Sequence, residues 1–75
     1  MREVREVAEE YLGRPSGMCV TGVQLCSGGE AFVLVRAPLG EFSLQLLKAP
    51  NGEWAVAAAL DAEDYFAAVA GAEGG

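Results

Sequence analysis

Three short interruptions, "SGGE", "PLG" and "APNG", divide the middle of this chain into four segments of strand character. Connections this short leave no room for a crossover, so the segments are expected to pair as consecutive antiparallel neighbours. In "EFSLQLLK" the alternation is clean: Phe42, Leu44 and Leu46 take one face, Ser43, Gln45 and Leu47 the other. "AFVLVRA" is apolar on both faces, Val33 and Val35 against Phe32 and Leu34, the pattern of a central strand covered on both sides. In "MCVTGVQLC", Val20 and Val23 differ in parity. One irregularity at Thr21–Gly22 restores Met18, Val20, Val23 and Leu25 to a common face, and a glycine inside a strand pattern commonly marks a bulge.

A helix is expected on each side of the four strands. Val4, Val7, Ala8, Tyr11 and Leu12 recur at the spacing of one helical face, and Arg2, Glu3, Arg5, Glu6, Glu9 and Glu10 take the other. Gly13 fits the position just past a helix end, and Pro15 blocks continuation. After the last strand, "DAEDYFAAVAG" reads as a short helix: Asp61 at the N-cap, Glu63 and Asp64 in the first turn where the helix dipole favours acids, Gly71 at the close. Tyr65, Phe66 and Val69 form its apolar side. The expected architecture is α+β, α-β-β-β-β-α, with an N-terminal helix packed on a four-stranded antiparallel meander. It occupies residues 1–71 as a single domain, and residues 72–75 form a frayed tail.

The closing strand, "NGEWAVAAAL", raises a question of packing. Strict alternation puts Trp54, Val56, Ala58 and Leu60 on one face and Ala55, Ala57 and Ala59 on the other. The first helix covers the large residues, leaving a face of alanines with Leu47, which admits close approach by another backbone. A C-terminal helix ending at Gly71 is too short to hide a whole sheet face, and a contiguous apolar patch on a small protein marks an interaction site. Leu47, Ala55, Ala57 and Ala59 are therefore the expected contact residues of a homodimer, or of a complex with another protein.

Charge and composition exclude more than they assign. Eleven acidic against five basic residues give a formal net charge of −6, which disfavours nucleic acid, whose phosphates call for clustered Lys and Arg. It equally disfavours an anionic membrane surface. No apolar run reaches the length of a membrane span, and the charged, amphipathic start is unlike a secretory signal, so a cytoplasmic protein is expected. Histidine is absent, removing the usual general base and the commonest metal ligand. Ser16, Ser27, Ser43, Thr21, Cys19, Cys26 and Lys48 stand beside no evident activating partner, and Asp61, Glu63 and Asp64 fit a helix start better than a metal site. The expectation is a protein that is not an enzyme and holds no cofactor or metal.

Cys19 and Cys26 lie on one strand, so when extended they stand roughly 20 Å apart, well beyond the 7 Å or so that a disulfide spans. Free thiols in a reducing compartment are expected. A redox-linked adaptor that acts through Cys26, beside a turn, is a third functional reading. The second is a small-molecule-binding protein with a cleft between helix and sheet near Tyr11, Trp54 and Tyr65.

Asn51, Gly52, Glu53, Trp54 and Val56 resemble the Asn/Asp-Gly-Glu-Trp-x-Val pattern that closes many NTF2-like domains, and "EAFVLVRAP…FSLQLLKAPNGEW" resembles their paired last strands. With a helix before the meander, the chain is similar to the cystatin-like and NTF2-like folds over about residues 30 to 60. The resemblance implies a sheet wrapped around a helix and a dimer through the sheet. NTF2-like domains usually carry further helices and a pocket with acids and histidines, which this chain does not supply, so no ligand or active site is carried across. The leading expectation is a small non-catalytic interaction module.

Overall fold

The computed structural model describes residues 2–13 and 17–74. Helix α1 (Val4–Leu12) buries Val4 and Ala8 completely or nearly so, with Val7 and Leu12 half-buried beside them. Gly13 closes it with φ of +80°, its N–H donating to the Glu9 carbonyl at 3.2 Å. Pro15, expected to stop the helix, lies outside the described residues, as does Ser16. Tyr11 departs from expectation. It shares the angular stripe of Val4 and Ala8 yet is 60% exposed, so its burial is lost at the helix end and not through rotation of the helix.

Strands β1 (Cys19–Cys26), β2 (Glu30–Ala37), β3 (Gly40–Lys48) and β4 (Trp54–Asp61) form one sheet in the order β1-β2-β3-β4, all neighbours antiparallel. Helix α2 (Ala62–Gly74) follows, so the fold is α+β with the order the sequence implied. The register of β1 on β2 shifts between Val20 and Gly22, which brings Val20, Val23 and Leu25 across from Val35, Val33 and Ala31. Those rows continue into Phe42, Leu44 and Leu46 on β3. They supply the core under α1: Val20, Ala31, Val33, Val35, Leu44 and Leu46 are buried, with Phe42, Trp54 and Val56 packed at its margin. Helix α1 touches β1 and β4, the two edges of the sheet, which requires the sheet to curl around it.

A second register shift was not foreseen. On β4, Ala58 pairs with Gln45 and Val56 with Leu46, leaving Ala57 without a partner. This bulge reverses the alternation midway. Trp54, Val56 and Ala59 lie on the α1 side of the sheet, and Ala55, Ala58 and Leu60 on the far side. The expected single face of Ala55, Ala57 and Ala59 therefore does not form. A run of identical small side chains carries no parity signal, so nothing in "VAAAL" could reveal where the strand steps.

Helix α2 lies on the far side and touches all four strands. Beneath it Leu34 and Ser43 are buried, and the Ser43 hydroxyl donates to the Asp61 carbonyl at 2.6 Å where β4 passes into the helix. The helix does not end at Gly71: α2 runs to Gly74. A glycine within a helix costs only about 1 kcal/mol against alanine, and the alanines on either side carry the helix through it. Phe66, expected on the apolar side, is 52% exposed and meets the Tyr65 ring edge-on at 5.4 Å. The far face thus receives a helix, and the layers run helix, sheet, helix. Among the described residues no helix is long and apolar enough to cross a membrane.

Candidate functional site

Trp54 is fixed by the turn before it. The Asn51 side-chain oxygen accepts the Glu53 N–H at 3.0 Å, Gly52 adopts φ of +89°, and the Ala49 N–H donates to the Glu53 carbonyl at 2.7 Å. This closes the β3–β4 hairpin with Lys48 directly across from Trp54. The Lys48 Nζ lies 5.8 Å from the centroid of the indole ring, within reach of a cation–π attraction. On the opposite edge, the β1 bulge turns Val23 and Leu25 to the same side of the sheet, and α1 leaves Leu25 60% exposed.

Between these edges and the first turn of α1 runs an open groove of about 600 Å³, lined by Arg2, Glu3, Val4, Arg5, Val23, Leu25, Lys48 and Trp54. Its walls are apolar, from Val4, Val23, Leu25 and the indole. Three of the chain's five basic residues stand around them, in a molecule whose formal charge is −6. Two are already engaged. Arg2 pairs with Glu10 at 2.6 Å and Glu6 at 3.8 Å; Arg5 pairs with Glu9 at 3.7 Å and donates to the Val20 carbonyl at 3.5 Å. No carboxylate among the described residues forms a salt bridge with Lys48.

The aromatic residues expected to frame one cleft are not brought together. Trp54 lines the groove, Tyr11 stands exposed at the other end of α1, and Tyr65 is on the far side of the sheet over Gly22. Of the four expected contact residues, Leu47 and Ala55 face each other in register and are both exposed. Ala57 is the bulge residue, and Ala59 pairs with Leu44 on the α1 side. Cys19 and Cys26 sit at the two ends of β1 as free thiols, and Cys19, not Cys26, is the more exposed. Thr21 donates to the Leu34 carbonyl at 3.4 Å. Among the described residues no group of three or more Cys, Asp or Glu side chains is placed to hold a metal ion.

Sequence reasoning missed most of the groove. Val23 and Leu25 lie on the face that the parity of β1 implies, but Val23, expected under α1, is exposed, and Arg2 and Arg5 reach the groove from the charged side of the helix. Comparison with protein-family models, with curated proteins and with solved structures found no match.

Proposed function

We propose that this chain is a non-catalytic binding module that seats the apolar part of a small ligand in the groove between α1 and the edges of the sheet. The observation that carries this reading is the convergence of Val4, Val23, Leu25 and Trp54 on one open groove of about 600 Å³, within the 300–1,000 Å³ or so usual for ligand pockets. Trp54, the one tryptophan of the chain, reports on occupancy directly. A saturable change in its emission on titration with amphiphilic small molecules is expected, and Val23→Glu, which puts a carboxylate in the wall, should abolish it. A Val23→Glu protein that still responds at the same concentrations would sink the reading.

A second reading, self-association, is favoured by one observation. Leu47 remains 46% exposed beside Ala55 at the end of the far face. Light scattering behind size exclusion, with Leu47→Glu as the variant, tests it. A dimer that persists in the variant would rule this patch out.

A further inference from the structure

We infer that the groove selects an amphiphile with an anionic head, an alkyl carboxylate being the simplest case, and that Lys48 holds the head while Trp54, Val23 and Leu25 hold the chain. The inference rests on the groove reading above and adds the chemical class of the ligand. Charge carries it. Eleven acids make the protein repel anions at long range, yet three of its five basic residues are gathered around this one apolar surface. Arg2 and Arg5 are compensated by Glu6, Glu9 and Glu10, and Glu3 lines the same groove. Among the described residues Lys48 enters no salt bridge, and its Nζ stands over the face of the Trp54 ring. The positive end of the α1 dipole lies at this same end of the groove, adding to the attraction.

The free amphiphile is the occupant, not a lipid in a bilayer, because a protein of charge −6 is repelled by an anionic membrane surface.

The sign of selectivity is diagnostic. A purely apolar groove binds a neutral alcohol more tightly than the matching carboxylate, since the ion gives up more hydration. A lysine at the rim reverses that order, because an ion pair near a protein surface offsets the loss.

The experiment is a titration of the intact protein with decanoate, decanol and decyltrimethylammonium below micelle formation, read by Trp54 emission and by backbone amide shifts at Val4, Val23 and Leu25. Decanoate should bind more tightly than decanol, with about fivefold of its affinity due to Lys48, the factor an unscreened charge pair in water supplies, and the ammonium should bind weakest. Lys48→Gln should remove the advantage of decanoate over decanol, whereas Arg36→Gln, which makes the same charge change away from the groove, should leave that advantage intact.

If decanol matches or exceeds decanoate in the wild-type protein, the anionic-head inference fails and the apolar groove stands. If none of the three probes moves these signals, the groove reading fails with it. A carboxylate preference that survives Lys48→Gln overturns the assignment of the head to Lys48. Binding to vesicles of phosphatidylglycerol overturns the choice of a free amphiphile.

Discussion

Gly22 follows the register step of β1 and leaves room on the far face for the Tyr65 ring. A Cβ at position 22 would lie 2.8 Å from Tyr65 Cζ and closer still to the hydroxyl, so the ring must move if any side chain is added. Gly22→Ala is expected to cost about 1–2 kcal/mol, the lower range for an overpacked contact, or a Tm lower by roughly 5–15 °C for a domain of this size. A double-mutant cycle with Tyr65→Ala checks the cause. Gly22→Ala should cost little more once the ring is gone, and equal costs in both backgrounds would place the penalty in the β1 backbone instead. The bulge at Gly22 was legible because Val20 and Val23 announce a change of parity. The contact with Tyr65 was not, since it joins residues far apart in the chain and depends on which face α2 chooses.

At the scale of elements, the two helices reach the sheet by different means. Helix α1 is a single amphipathic stripe, and its position over the core was readable from the spacing of Val4, Val7, Ala8 and Leu12 alone. Helix α2 has no such stripe. Its residues toward the sheet are small or aromatic (Ala62, Tyr65, Ala68 and Val69 are half-buried), while Phe66 faces solvent. Its docking therefore rests on close fit to the surface formed by Leu34, Ser43 and Leu60, which a helix can make without advertising it in a hydrophobic pattern of its own. The same absence of pattern concealed the β4 bulge among the alanines and with it the true composition of the far face. A chain ending at Asp61 should expose Leu34, Phe32 and Leu60 together, a contiguous apolar surface of the sort that drives association. Light scattering is expected to show concentration-dependent oligomers for the shortened chain, and a monodisperse monomer with native Trp54 emission would mean that α2 is dispensable cover.

For the whole molecule, charge separates the two binding modes that the fold leaves open, because salt acts on them with opposite sign. Two copies of charge −6 repel each other, so self-association through Leu47 and Ala55 must work against that field. Raising ionic strength shortens the Debye length from about 30 Å at 0.01 M to about 10 Å at 0.1 M, and dimer formation should strengthen. Anion capture at Lys48 is an attraction over a few ångströms at an exposed rim, and the same screening weakens it. The part of the decanoate affinity owed to Lys48, read as the ratio of wild type to Lys48→Gln so that the long-range repulsion cancels, is expected to fall by less than about twofold over that range, because the contact lies inside the Debye length. Decanol reports the salting-out of the alkyl chain and should tighten slightly, if it changes at all. Titrations and light scattering on the same salt series therefore give two independent slopes. A wild-type to Lys48→Gln ratio near one at every salt concentration would show that the head group sits in bulk water, with the groove holding only the chain.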